Sequence, residues 1–205
     1  MRSERRLIWL AAIGKLVFLS LWIRHFGMVP GDREIMMLVR AFPEGIVRFC
    51  AFAGGVPTIA GLTVLLAWLH RKYVHPLTVI GAMVPIPIIE WILKHLIGRP
   101  RPLGEGLAFP SGHAIASLTL LLLIAGYAWS GRSRTQRVVF SLFFLIYVVA
   151  VGVGRVALGF HWPSDILGGW LVAVIYVSGI LRFLQYWRQE AGSRILAPLN
   201  VRGNS

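Results

Sequence analysis

Long apolar runs alternate with short polar gaps along the whole chain. A helix crosses the hydrocarbon of a bilayer with about 20 apolar residues. Six stretches meet that length: 7–26, 49–69, 74–96, 111–130, 137–155 and 164–185. Gly, Pro or polar residues interrupt the third and the fifth. The pattern therefore predicts an all-α fold, a polytopic bundle of six transmembrane helices forming one membrane-embedded domain over 1–205. The N-terminal run "MRSERRLIWLAAIGKLVFLSLW" has the basic start and apolar centre of a signal peptide. No small-residue cleavage site follows it, so it reads as a retained first span. Between the first two spans, "GDREIMMLVRAFPEGIVRF" (31–49) carries Ile35, Leu38, Val39 and Phe42 at helical spacing. It reads either as an interfacial helix that steers a lipid toward the site or as a short cap on the bundle.

Composition sharpens this picture. Of 205 residues 57% are hydrophobic, and 21 Lys+Arg against 8 Asp+Glu give a formal charge of +13. In a soluble chain that excess would suggest nucleic acid. Here the cations sit in the gaps between apolar runs, which points to the lipid bilayer as partner and to no nucleic acid. One side of the predicted bundle holds 12 of them: Arg2, Arg5, Arg6, Arg71, Lys72, Arg132, Arg134, Arg137, Arg182, Arg188, Arg194 and Arg202. The other holds 7: Arg24, Arg33, Arg40, Arg48, Arg99, Arg101 and Arg155. The bias places both termini in the cytoplasm. The loops 97–110 and 155–163 then face the outer, periplasmic side of the cytoplasmic membrane. Cys50 is the only cysteine, so no internal disulfide exists and a packing role is expected. Trp9, Trp22, Trp68 and Trp129 lie near span ends, as interface anchors do.

Three polar clusters remain, all on that same face: Lys94 with Arg101-Pro102; Pro110-Ser111-Gly112-His113; and Arg155, His161 and Asp165. Charge at membrane depth is costly and marks function by default. Pro110 suits a first helical turn, where its missing N–H would have no partner. The N–H groups of Ser111, Gly112 and His113 would then form an anion site with the helix dipole, and Gly112 would allow close approach. Lys94, Arg101 and Arg155 would complete a phosphate cradle. In "HWPSD", Pro163 fits a first turn and Asp165 can reach back to the His161 ring, fixing its tautomer. His161 would be the nucleophile and His113 the acid for the departing oxygen. Two histidines with opposite protonation demands predict a bell-shaped pH–rate profile. Few carboxylates share this face (Asp32, Glu34, Glu44, Glu105 and Asp165), and the cations would repel Mg²⁺ or Ca²⁺. The expectation is catalysis with no metal and no other cofactor.

Together "KHLIGRPRP" (94–102), "PSGH" (110–113) and "GRVALGFHWPSD" (154–165) resemble the type 2 phosphatidic acid phosphatase superfamily, which also contains the vanadium haloperoxidases. The family pattern is Lys, six residues, Arg-Pro; then Pro-Ser-Gly-His; then Ser-Arg, five residues, His, three residues, Asp. The matched blocks span about a third of the chain, and their combined spacing is specific. The resemblance implies a six-helix membrane core and a phosphohistidine intermediate. It implies phosphate held by Lys94, Arg101 and Arg155 with Ser111 and Gly112 contributing, and catalysis by His161, Asp165 and His113. Two departures stand out. Gly154 replaces the usual Ser, and only seven residues separate Pro102 from Pro110.

The expected activity is a lipid phosphatase acting on a membrane lipid phosphate. Candidate substrates, by resemblance, are undecaprenyl diphosphate, phosphatidylglycerophosphate, phosphatidate and the lipid A phosphates. Two other readings use the same residues: a lipid-to-lipid phosphotransferase, and a lipid or anion transporter needing no nucleophile. A haloperoxidase suits a bilayer-embedded chain poorly. Glu90 lies four residues before Lys94 and reads as its structural neutraliser. Arg99 reads either as a second phosphate grip or as an interfacial cation. His25, His70, His75 and His95 receive no role. Gly152, Gly154, Gly168 and Gly169 read as points of close helix approach.

Overall fold

The computed structural model describes residues 2–69, 71, 76–128 and 133–195. They form nine α-helices: α1 (Arg2–Phe26), α2 (Asp32–Arg40), α3 (Glu44–Ala53), α4 (Val56–Leu69), α5 (Pro76–Met83), α6 (Ile86–Ile97), α7 (Gly112–Ala128), α8 (Arg134–Ala157) and α9 (Pro163–Ile195). Among the described residues the only strand-like pairing is an isolated bridge between Pro100 and Leu107. His70, Lys72, His75, Trp129, Arg132 and Arg202 lie outside the described residues.

Four stretches are long and apolar enough to cross a membrane: Arg6–Phe26, Pro76–Ile97, Arg134–Ala157 and Pro163–Phe183. Helices α3 and α4 add a fifth if taken as one span bent by 51°. The chain is thus an all-helical, multi-pass membrane protein with four or five such spans, where the sequence pattern predicts six. The difference lies in α7. Its 17 residues reach about 25 Å at 1.5 Å per residue, short of a hydrocarbon layer of about 30 Å. It begins at Gly112, with the Ser111 carbonyl accepting the first helical bond from Ile115 N–H (3.0 Å) and the Ser111 N–H donating to the Asp165 carbonyl (3.1 Å).

The interruptions also fall differently from the expectation. The third stretch does break, at Val84-Pro85. The fifth does not: α8 runs unbroken for 24 residues from a capping box in which Ser133 and Gln136 bond reciprocally. The second breaks instead, at Gly54-Gly55. There Val151 of α8 crowds α3, and a Cβ on Gly54 would lie 2.9 Å from Val151 Cγ1. At the bend the Phe52 carbonyl accepts from Gly55 N–H (3.0 Å) and from Thr58 Oγ1 (2.7 Å).

Helix α7 is the centre of the bundle. Ala114, Ile115 and Leu123 have no exposed surface, and α4, α5, α6, α8 and α9 all pack on it. Large apolar side chains such as Leu7, Phe18, Phe143 and Ile146 are exposed on the outside, as a lipid-facing surface requires. Small residues bring α9 close to its neighbours. A Cβ on Gly169 would lie 2.7 Å from the Ser111 carbonyl oxygen, one on Gly168 would enter the Phe109 ring, and one on Gly152 would lie 2.9 Å from Ile166 Cγ2. The expected close approaches are all present. The segment 31–49 is helical as its spacing suggests except at 41–43, where α2 gives way to α3, but its buried face is another one. Asp32 and Val39 are buried, while Ile35, Leu38 and Phe42 are exposed. Asp32 turns inward because a buried arginine waits for it.

Candidate active site

The first cluster forms where α6 stops. Gly98 takes the left-handed conformation (φ +72°) that few other residues accept, and its N–H closes on the Lys94 carbonyl at 2.8 Å. Arg24 Nη1 donates to the Leu96 carbonyl at 2.8 Å, placing a cation at the negative end of α6. The chain then reverses over the end of the bundle, held by Ala108 N–H to the Arg99 carbonyl (2.8 Å) and Arg101 N–H to the Gly106 carbonyl (3.2 Å). This turn leaves Lys94 and Arg101 on the same side.

The second cluster opens α7. Ser111 is fully buried. Its N–H is spent on the Asp165 carbonyl and its Oγ accepts from Ala114 N at 3.5 Å. Ser111 thus ties the head of α7 to α9, while the first-turn N–H groups left for an anion are those of Gly112 and His113. Gly112 is crowded by a carboxylate of the protein itself: a Cβ there would collide with Glu90 Oε2. Glu90 Oε1 also lies 2.6 Å from Lys94 Nζ. The close approach that a glycine permits is therefore taken by Glu90.

The third cluster joins α8 to α9. Arg155 ends α8 with its guanidinium 4.7 Å from the centre of the Phe160 ring, and Arg101 lies over the same ring at 5.6 Å. Arg155 Nε is buried without a hydrogen-bond partner. Pro163 is the first residue of α9, as expected. Asp165 Oδ2 reaches back to accept from Trp162 N–H at 2.7 Å. The same oxygen lies 3.7 Å from His161 Nδ1, close enough for charge but too long for a hydrogen bond, and His161 Nδ1 has no other partner. Burial lowers the His161 pKa below its ordinary value; Asp165 opposes the shift, and Lys94 and Arg155 add to it.

The three clusters meet. Arg155, His161, Lys94 and Arg101 all lie near enough for their charge to act on the His113 ring. Among the described residues no three His, Cys, Asp or Glu side chains gather as a metal ion would need. The two carboxylates on the far side of His161, Asp32 and Asp165, are both taken by an arginine.

That arginine is Arg99, whose place the sequence left open between phosphate grip and interfacial cation. It is neither exposed nor aimed at the cradle. With 1% of its side chain accessible, Arg99 pairs with Asp32 Oδ2 and Asp165 Oδ1, each at 2.6 Å. Ser164 Oγ accepts from Arg99 Nη1 at 2.7 Å, and Ser164 donates to both Asp32 oxygens, from N at 2.9 Å and from Oγ at 2.8 Å. The sequence gives Asp32 no role beyond being one of the few carboxylates on this face, and it does not single out Ser164. The available signal was scarcity: few carboxylates share a face rich in cations, so each should be paired.

Comparison with known proteins fits this arrangement. The family model described as PAP2 superfamily matches residues 104–189, which include the second and third clusters. Over those residues the chain is similar to the PAP2 superfamily. An undecaprenyl-diphosphatase of Sulfolobus acidocaldarius is 24% identical over 163 residues, covering 78% of this chain and 64% of that protein. Phosphatidylglycerophosphatase B of Escherichia coli is 34% identical over 94 residues, covering 46% of this chain and 32% of that protein. This chain thus spans just under two thirds of the first relative and about a third of the second. Among solved structures, a transmembrane PAP2-type phosphatidylglycerolphosphate phosphatase from Bacillus subtilis superposes with a TM-score of 0.71. It covers 87% of this chain and 96% of that one at 17% identity, a likeness of fold. Within the PAP2 pattern, Gly154 now has a physical reason. A Cβ there would lie 2.7 Å from the Ala51 nitrogen and 2.9 Å from the Cys50 carbonyl oxygen, so α3 leaves no room for a serine.

Proposed function

We propose that this chain is a metal-independent lipid phosphatase. It removes phosphate from a phosphomonoester or diphosphate of a membrane lipid, in the class that holds undecaprenyl diphosphate, phosphatidylglycerophosphate, phosphatidate and the lipid A phosphates. The observation that carries the reading is the meeting of two histidines and three cations at one end of an apolar bundle. The activities named for the relatives support it.

In this mechanism Lys94, Arg101 and Arg155 grip the non-bridging oxygens, and the N–H groups of Gly112 and His113 add to the cradle. Ser111 contributes by fixing that first turn. His161 attacks in line through Nε2: the N–P bond forms as the bond from phosphorus to the lipid oxygen breaks, and His113 gives that oxygen its proton. The cradle meets charge spreading over the phosphoryl oxygens. Water then cleaves the phosphohistidine, with His113 taking the water's proton. Asp165 beside Nδ1 favours the positive ring that the intermediate requires. Burial keeps His161 neutral, hence nucleophilic, at neutral pH. Six crossings, with α7 as the short central one, bring this chemistry to the outer face of the cytoplasmic membrane.

The test is phosphate release by purified protein in detergent against a panel of those four lipids, with EDTA throughout and His161→Ala alongside. Release by wild type alone is expected. Loss in EDTA with rescue by a divalent ion contradicts the metal-free mechanism. Substrate loss without matching free phosphate means transfer to another lipid.

A further inference from the structure

The proposed chemistry leaves a buried cation unused. Arg99 is turned away from phosphate, since each of its three nitrogens already donates within the protein: Nε to the Gly27 carbonyl at 3.1 Å, Nη1 to Ser164 Oγ and Asp165 Oδ1, and Nη2 to Asp32 Oδ2. Asp32 is fixed in turn by Ser164 and by Val29 N–H (3.2 Å). Burying three charges costs desolvation that a hydrophobic contact would avoid. The geometry of the cluster shows what it holds. One Asp165 oxygen is locked by Arg99 and the other by Trp162 N–H, and the second of these faces His161 Nδ1. The carboxylate cannot rotate without breaking a bond at one end. The cluster also carries net charge: Arg99 at +1 with Asp32 and Asp165 at −1 each leaves −1 behind the His161 ring.

We propose that Arg99, with Asp32 as its second carboxylate, is a positioning residue for the phosphoryl-transfer step. It acts through Asp165, holding that carboxylate toward Nδ1 and maintaining negative charge behind the imidazole as phosphorylation makes the ring positive. This rests on His161 being the nucleophile. Lys94 and Arg155 face the same ring from the cradle side, with His113 beside them. The buried anion therefore offsets a positive field at the ring where the intermediate would add to it, and it recruits the α1–α2 connection, outside the family blocks, into the active site.

The experiment compares wild type, Arg99→Gln, Arg99→Lys, Asp165→Asn and the Arg99→Gln/Asp165→Asn double variant. Each is assayed for kcat, KM, inhibition by orthovanadate and melting temperature. Arg99→Gln should lower kcat about 10- to 100-fold, the scale of a misplaced catalytic group. KM and vanadate inhibition should stay within about twofold, because the cradle is untouched. Arg99→Lys should restore part of kcat, and the double variant should be no slower than Asp165→Asn alone. A loss confined to KM or vanadate binding would make Arg99 a phosphate ligand, and losses that multiply in the double variant would detach it from Asp165. Either overturns the proposal, as does an unchanged kcat. If Arg99→Gln does not fold, Asp32→Asn takes its place with the same split between kcat and KM expected. Imidazole ¹⁵N spectra give a readout independent of turnover: wild-type His161 should hold one tautomer and Arg99→Gln a mixture. Identical spectra refute the positioning role even if the protein proves not to be a phosphatase. Activity surviving in His161→Ala removes the nucleophile reading separately.

Discussion

Glu90 ties two residues of the proposed cradle to a carboxylate from α6. It pairs with Lys94 and presses on Gly112, and its charge is also felt at Arg155. A phosphate entering this site competes with that resident anion. Glu90→Gln should therefore strengthen inhibition by orthovanadate by about tenfold, roughly 1.4 kcal/mol, whereas a purely structural neutraliser would lower the melting temperature and leave inhibition unchanged. A second prediction concerns pH. Burial lowers the His161 pKa, so the free enzyme keeps a neutral nucleophile into mildly acid solution and loses it as pH falls through the lowered value. The acid limb of kcat/KM should be centred below about pH 6.5, the ordinary histidine value; a limb at or above it contradicts a buried nucleophile. At this scale the sequence was legible where chemistry repeats in blocks. Lys94, Arg101, His113, Arg155 and His161 converge, and Asp165 stands by His161. Arg99 and Asp32 were not legible, because their partners lie 66 or 67 residues away and local hydropathy reads both as surface charge.

At the scale of elements, small residues let helices meet where the chemistry needs them. Gly154 lets α3 press against the end of α8 that carries Arg155, and Gly169 lets α9 press against the Ser111 carbonyl at the head of α7. Gly154→Ser, although it restores the usual family residue, should destabilise the protein by about 1–3 kcal/mol through overpacking against backbone. Thermal unfolding in detergent checks this, and a neutral result would mean that α3 yields easily. Four or five of the six spans were legible as apolar length, because a bilayer imposes that length locally. Their breaks were not. The bend at Gly54-Gly55 depends on Val151 of another helix. Such a cause is tertiary, and no run of hydropathy contains it.

The whole molecule joins an apolar exterior to a polar site at one end. The proposed sidedness makes the 98–111 loop an outer-face feature. Glu105 is exposed there, so Glu105→Cys in a Cys50→Ala background should react with a membrane-impermeant maleimide in intact cells; labelling only after lysis would invert the topology. The central claim is that phosphate passes through His161. It is tested most directly by mixing enzyme with radiolabelled lipid phosphate, quenching within the first turnover, and mapping any alkali-stable, acid-labile label to a peptide. Label is expected on the peptide carrying His161 and none in His161→Ala. Phosphate release with no trapped label in any variant, or label on another residue, would contradict it.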